Sequence, residues 1–528
     1  MDIYTVKKME KKAAKSSKSD FLRIGIALLF MVLVLWYSFA VNSSVPNNTF
    51  LAVGALFGAY MALNIGANDV ANNVGPAVGS KALTMGGAIL IAAIFEAGGA
   101  FIAGGDVVST IKNGIIDPTL FVNPQEFIWA MTAALLAGGL WLNIATAVGA
   151  PVSTTHSIVG GVMGGGIAAA GFSIVSWGTV GKIVASWVIS PVLGAAVAAL
   201  FLYTIKKSII YKEDRMSAMQ KMVPIYVAVM SWAFGTYIML KGMKQIISVN
   251  FFTASLIALG LAAIAYMIVR PMVRKASKRL SNSTADVNSL FTIPLIFAAA
   301  LISFAHGAND VANAIGPLAA IADAIQNTVV VAKAPIPLWV MIVGAVGISL
   351  GLALYGPKLI RTVGSEITEL NQTRAFSVAM AAAITVIIAS QLGLPVSSTH
   401  IAVGGIFGVG FLREYLSNTT EEATIREEQA HLEGDKRVLK ALYSERETLK
   451  KKEGKTKEDY QHIAELYQMV EDEEERIKVE KKQIKRAKNI KYVKRDAIRK
   501  IIAAWVITVP AAALLSAAIF YMIKGFMV

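Results

Sequence analysis

The sequence has no cysteine. Disulfides, thiolate metal centres and Cys nucleophiles are therefore excluded. Charge is also scarce: Asp, Glu, Lys and Arg make up 16% of the 528 residues while 55% are hydrophobic, against about 25% charged and about 45–50% apolar in soluble domains. With a mean hydropathy of +0.57, the chain reads as an all-α polytopic membrane protein. The net charge of +15 is segregated into loops and a C-terminal stretch rich in Lys and Glu, so it addresses a membrane surface and not a nucleic-acid groove.

What is present in abundance is apolar runs of about 20 residues, the length a helix needs to cross roughly 30 Å of hydrocarbon. They fall near 21–41, 50–74, 84–104, 127–149, 155–174, 178–205, 221–244, 251–270, 290–313, 337–357, 374–394, 399–414 and 498–524. Hydropathy leaves open whether 150–174 and 395–414 cross fully or re-enter as hairpins. The first run follows Lys7, Lys8, Lys11, Lys12, Lys15 and Lys18 and reads as a signal peptide cut near Ala40 or, given its long apolar core, as a retained signal anchor. Basic residues cluster in the N-terminal tail and in loops 206–221, 270–279 and 358–374, whereas 105–126 and 319–336 hold one Lys each. The positive-inside rule then puts the N-terminus in the cytoplasm and the C-terminus outside.

An internal repeat organises the chain. Gly-Ala-Asn-Asp-Val-Ala-Asn at 66–72 recurs at 307–313, an offset of 241. Pro151-Val152-Ser153-Thr154-Thr155-His156 matches Pro395-Val396-Ser397-Ser398-Thr399-His400 at an offset of 244, and Lys182–Trp187 matches Lys500–Trp505 at 318. The jump of about 74 residues marks an insert, the charged stretch 415–497. There Leu439, Leu442 and Leu449, a break at Gly454, then Ile463, Leu466, Tyr467 and Val470 predict two amphipathic helices folded as a cytoplasmic hairpin, either a spacer or a regulatory element. The expected organisation is a basic tail and extra N-terminal transmembrane helix at 1–48, a first transport repeat at 49–205, and connecting loops with two non-repeated spans at 206–287. The second repeat follows at 288–414, then the insert at 415–497 and the last span at 498–528. Five crossings per copy force the two copies into the membrane from opposite sides, the inverted-repeat architecture of many secondary transporters.

In the first motif Asp69 and Asp310 lie inside apolar segments, where a charge is costly, and Gly66, Gly75, Pro76, Gly307, Gly316 and Pro317 predict interrupted helices. Their carboxylates, the amide oxygens of Asn68, Asn72, Asn309 and Asn313, and freed carbonyls are hard oxygen ligands for a small cation; the alternative is that they cap broken helices. In the second motif Pro opens a helix, and the hydroxyls of Ser153, Thr154, Thr155, Ser397, Ser398 and Thr399 beside first-turn amides make two donor-rich cradles for a tetrahedral oxyanion, unless they are ordinary N-caps. His156 and His400 either lock these loops or touch ligand. Glu96, a third intramembrane carboxylate with no acidic counterpart in the second copy, reads as a cation site, a proton relay or a buried hydrogen-bonded acid. The Gly-rich tails from Gly160 and Gly404 are close-packing surfaces.

These residues resemble the inorganic phosphate transporters of the sodium- or proton-coupled kind. The resemblance rests on the two Gly-Ala-Asn-Asp-Val-Ala-Asn motifs, on Pro-x-Ser-x-Thr-His at 151–156 and 395–400, and on Ile94-Phe95-Glu96, and it covers the chain outside 1–48 and the insert. It implies cation-coupled phosphate import by an inverted-repeat homodimer, with no cofactor beyond the coupling ion. By the same resemblance Asn72, Asn313 and the hydroxyls line a phosphate site, while Asn68, Asp69, Asn309 and Asp310 hold sodium and Glu96 is a further candidate cation site. The chain departs from the family in its Asn73, matched by Ala314 in the second copy, in its extra N-terminal span, and in an insert placed within the second copy. The Asn-rich surroundings suit sodium better than a proton relay. Sulfate or another tetrahedral oxyanion is the alternative substrate; an anion channel and an intramembrane aspartyl enzyme are more distant readings.

Overall fold

A computed structural model of the chain describes residues 3–43, 48–150, 152–242, 249–278, 280, 282–327, 336–365, 369–454, 456–488 and 495–527. Pro151 of the second motif and Arg279 of the basic loop lie outside the described residues. The N-terminal part comprises α1 (Ile3–Val41), α2 (Asn48–Asn68), α3 (Val70–Gly79), α4 (Met85–Ala103), α5 (Gly105–Asn113), α6 (Pro124–Val148), α7 (Thr154–Ala170) and α8 (Trp177–Ile205). Helices α9 (Arg215–Tyr237) and α10 (Phe251–Ser277) are the non-repeated pair, and α11 (Thr284–Leu290), α12 (Thr292–Asn327), α13 (Leu338–Ser365), α14 (Gln372–Gln391), α15 (Ser398–Lys451), α16 (Lys457–Lys488) and α17 (Arg495–Met527) follow.

Among the described residues eleven helices are long and apolar enough to cross a membrane, two fewer than the thirteen runs of the sequence and one fewer in each copy, so each copy holds four such helices where five crossings were expected. The stretch expected at 155–174 folds as α7, whose 17 residues reach only about 25 Å at 1.5 Å per residue. The stretch at 399–414 is the opening of α15, which continues as one helix to Lys451.

Burial separates the helices into an inner and an outer set. The apolar windows of α12 and α14 are 89% and 83% buried, and those of α2–α3 and α6 are each 72%, whereas those of α1 and α10 are only 17%. Leu28, Leu29 and Leu256 therefore face outward, as side chains against lipid tails should.

Small residues set how the inner helices meet. A Cβ built on Gly66 would lie 1.9 Å from the Ile348 carbonyl oxygen, and one on Gly307 would lie 2.1 Å from that of Glu96. The same holds for Gly164 against Ala513 O and Gly408 against Ala195 O, both 2.1 Å. These glycines admit neighbouring backbone where any side chain would collide. They also explain a departure from expectation. The helical pattern is disturbed only at the single residue Asp69 between α2 and α3, whose φ −78° and ψ −38° stay helical, and α12 runs from Thr292 to Asn327 through the second Asn-Asp pair without a break. Gly307 and Gly316, where a Cβ would lie 2.8 Å from the Ile111 side chain, serve close approach and not interruption.

Chain direction does change just before each hydroxyl motif. Gly149 at φ +76° ends α6 and Gly393 at φ +65° follows α14, equivalent positions in the left-handed region that only glycine adopts cheaply.

Residues Gly410–Val493 form a compact unit of their own. Leu432 packs with Ile477, and Leu442 with Leu466 and Val470, so α15 and α16 run antiparallel around the turn at Gly454, φ +73°. Asp435 pairs with Arg476 across them.

Candidate functional site

The two halves bring both motifs into one buried cluster. The first motif sits at the α2–α3 junction and in the middle of α12; the second opens α7 and α15. Asp69, Asp310, Asn72, Asn313, Thr154, Thr155, Ser398 and Thr399 are all buried. The hydroxyls of Thr154 and Thr399 donate to Asp69 Oδ2 at 2.5 Å and Oδ1 at 2.6 Å, and Ser398 donates to Asp310 Oδ2 at 3.2 Å. Thr154 Oγ1 also lies 3.4 Å from Asp310 Oδ2, so one hydroxyl stands between the two carboxylates.

The amides tie each half to the other's hydroxyls. Asn72 Nδ2 donates to Thr399 Oγ1 at 2.8 Å, and Asn313 Nδ2 to Thr154 Oγ1 at 3.0 Å and Thr155 Oγ1 at 3.2 Å. Asn68 and Asn309 instead brace the turns that deliver those hydroxyls. Asn68 Nδ2 donates to Thr146 Oγ1 and the Ala150 carbonyl, and Asn309 Nδ2 to Ser390 Oγ and the Leu394 carbonyl. These partners are 244 residues apart in both comparisons, so the bracing is duplicated contact for contact.

Ser153 and Ser397 have a different occupation. Their Oγ atoms accept the amides of His156 at 3.1 Å and His400 at 3.2 Å, the N-cap geometry that starts α7 and α15. His156 and His400 point away from the carboxylates into a ring stack. His156 meets Trp187 at 3.7 Å and His400 at 4.4 Å between centroids, and His400 stacks on Trp505 at 3.6 Å.

Sequence reasoning missed His306. It lies fully buried, its Nδ1 2.7 Å from Glu96 Oε2 and its Nε2 2.9 Å from Asp310 Oδ2. Donor atoms of Asp69, His306 and Asp310 fall within 4.8 Å of one another. Glu96 is thus drawn into the cluster as a hydrogen-bonded acid, with Asn73 Nδ2 donating to its Oε1 at 2.7 Å. An isolated imidazole one residue before the second Gly-Ala-Asn-Asp motif, inside an apolar run, was the signal available.

The oxygens that remain without a hydrogen-bond partner are informative. Asp310 Oδ1 and the Oδ1 atoms of Asn72, Asn309 and Asn313 are buried and unpartnered. Buried acceptors of this kind are costly unless something positive fills the space beside them, and their hard-oxygen chemistry fits an alkali cation.

Comparison with known proteins gives a consistent picture. Residues 65–516 match the model of the "Phosphate transporter family". A protein of Helicobacter pylori strain J99 named "Putative phosphate permease" is 49% identical over 543 residues, covering 98% of both chains. A Thermococcus kodakarensis protein named "Putative phosphate permease TK2061" is 40% identical over 366 residues, 69% of this chain and 89% of the relative. Among solved structures, one titled "The sodium-dependent phosphate transporter" superposes with a TM-score of 0.72 at 31% identity, covering 90% of this chain and 99% of that one.

Proposed function

The chain belongs to the phosphate transporter family, a multi-pass membrane protein that carries phosphate and is no enzyme, and from that premise we propose that it imports inorganic phosphate coupled to sodium by alternating access. The observation that supports this best is the sharing of hydroxyls between carboxylates and amides at the junction of the halves. In the present arrangement Thr154, Ser398 and Thr399 spend their protons on Asp69 and Asp310. A phosphate anion brought beside two bare carboxylates would meet like-charge repulsion in a desolvated site. Sodium seated against the carboxylates and the unpartnered amide oxygens removes that repulsion and leaves the hydroxyl protons for the anion. Binding of the two substrates is then linked, each raising the affinity of the other by the same factor.

The proposal assigns the roles. Asp69, Asp310, Asn309 and the Oδ1 atoms of Asn72 and Asn313 face the cation; Thr154, Thr155, Ser398 and Thr399, with the amide N–H groups of Asn72 and Asn313, face phosphate. Asn68, Ser153 and Ser397 position the loops, and Glu96 acts through His306 on Asp310. The reciprocal glycine contacts, Gly66 on Ile348 and Gly307 on Glu96, support two copies of one unit packed against each other; that the copies are inverted, with the N-terminus in the cytoplasm and the C-terminus outside, is part of the proposal. Pairing into a homodimer belongs to the same proposal. Proton coupling is the second reading, favoured by the buried Glu96–His306–Asp310 chain.

Reconstitution into liposomes with labelled phosphate under separately imposed sodium and proton gradients tests the proposal, with sulfate and arsenate as competitors. Uptake driven by a sodium gradient at equal pH is expected. Uptake that follows only the proton gradient would overturn the sodium assignment, and uptake indifferent to both would make the protein an anion channel.

A further inference from the structure

A cavity with a largely apolar wall and a few polar groups lies outside the carboxylate cluster, walled by a helix that precedes the family match. Its volume is about 470 Å³, within the range of small-molecule sites. The lipid-facing helix α1 supplies Arg23, α2 supplies Tyr60 and Asn64, α6 supplies Thr146, and α13 supplies Tyr355 and Lys358. Arg23 is half-buried and reaches Asp20 at 3.5 Å, an exposed pair one turn back; the Lys358 ammonium donates to the Ala147 carbonyl at 2.7 Å. The floor touches the transport site through a single layer, since Thr146 Oγ1 accepts from Asn68, the residue before Asp69. Aliphatic α1 side chains, Ala27 and Met31 among them, line the outer wall.

We propose that this cavity is an accessory site for a phosphoryl oxyanion, taken either as free phosphate on its way to or from the Asn68 layer or as the headgroup of an anionic phospholipid whose chains lie along α1. Two cations of different reach, two phenols and amide groups match the charge and the acceptor oxygens of a phosphoryl group. Arg23 is contributed by a segment outside residues 65–516 that match the family, so the site depends on the N-terminal helix as well as on the matched part of the chain. It rests on the reading of the central cluster as a phosphate pathway only in its free-phosphate form.

The test compares wild type with Arg23→Gln, Lys358→Gln and the conservative Arg23→Lys and Lys358→Arg variants, in vesicles sorted by orientation. In phosphatidylcholine alone, each Gln variant should raise KM for phosphate about fivefold from the face carrying Asp20 and Lys358, with kcat and the opposite face unchanged; fivefold is about 1 kcal/mol at 1.4 kcal/mol per decade. The conservative variants should restore it. If KM stays put but wild type retains phosphatidylglycerol in native mass spectrometry and the Gln variants lose it, the occupant is the headgroup. Protection of Lys358 from acetylation by added phosphate or phosphatidylglycerol reads the same site in wild type, whatever the variants' folding. No change in KM, no retained lipid and no protection would overturn the proposal. A wild-type protein that retains the lipid but moves no phosphate would leave this site standing and sink the transport reading instead.

Discussion

Glu96 Oε2 and His306 Nδ1 sit 2.7 Å apart with no exposed side-chain surface, and the positions that answer to them in the opposite half are both apolar. Gly307 lies on the Glu96 carbonyl as Gly66 lies on that of Ile348, and His306 stands 241 residues after Ile65. Asn73, which also holds Glu96, corresponds to Ala314. The whole polar network therefore exists on one side of an otherwise duplicated site. Asp310 has an imidazole neighbour; Asp69 has only hydroxyls and an amide.

Breaking this pair from one side should cost far more than removing it. Glu96→Ile or His306→Ile alone leaves a buried polar partner exposed to nothing, a loss of about 3–5 kcal/mol. The Glu96→Ile/His306→Ile double variant copies the opposite half and should recover a large part of that, a coupling of about 1–3 kcal/mol. Thermal unfolding of the four proteins in detergent measures it, and additive losses would mean the pair is not a unit.

The carboxylates should control the cation and the anion together. Asp69→Asn and Asp310→Asn keep size and one oxygen but lose charge, so the sodium dependence of phosphate binding should flatten and phosphate affinity fall about tenfold or more at fixed sodium. Titration of phosphate against sodium at constant pH checks each variant; a wild-type sodium dependence in either removes that Asp from the coupling site.

Among the hydroxyls, neighbours in sequence should behave differently. Thr154→Val and Thr399→Val remove hydrogen bonds to a charged group worth roughly 1.5–3 kcal/mol each, and should weaken apparent phosphate affinity by about tenfold or more. Ser153→Ala and Ser397→Ala remove N-caps and should lower stability by about 1 kcal/mol with affinity nearly kept. Equilibrium binding and unfolding measured on the same four variants separate the two roles, and a Ser153→Ala protein with lost affinity but intact stability would reverse them.

The hairpin insert should be dispensable for transport and sensitive to acid at its turn. Replacing 415–497 by a short Gly/Ser linker should leave sodium-driven uptake measurable. Within the intact hairpin, Asp459 is held down to about 2 by hydrogen bonds from Lys452 and the Thr456 amide. Its folded value lies below its ordinary one of 3.8, so its contribution is present above that value and fades as pH falls from about 4 towards 2. Protection of the turn amides from hydrogen exchange, taken relative to the intrinsic rate at each pH, should fall over that window in wild type and be low throughout in Asp459→Asn.

Much of this architecture was legible in the chain because duplication makes coincidence improbable: two Asn-Asp motifs and two hydroxyl motifs locate both halves of the site before any coordinate. The insert was legible because solvated helices must alternate, and Leu442, Leu466 and Val470 meet where their spacing put them. What could not be read was the direction of polar atoms. Ser153 and Thr154 are adjacent hydroxyls, yet one caps a helix and the other bridges two aspartates. His306 meets Asp310 one turn further along α12, but both His306 and Asn73 also meet Glu96, a residue of another helix, and no spacing along the chain announces that meeting. The helix break expected at Asp310 failed because glycine weakens a helix in isolation but permits contact in a bundle.

The backbone contacts at the glycines carry a kinematic consequence. Gly66 and Gly351 lock α2 to α13, Gly99 and Gly307 lock α4 to α12, Gly160 and Gly164 lock α7 to α17, and Gly404 and Gly408 lock α8 to α15, each by a carbonyl where a Cβ would stand at 2.6 Å or less. Every one of these pairs takes one helix from each copy. Sliding a pair by one residue would drive side chains into backbone, so each pair can turn or tilt only as a single body. In the alternating-access cycle proposed above, the moving parts are then not the two copies, as the sequence divides them, but hybrid blocks assembled from both.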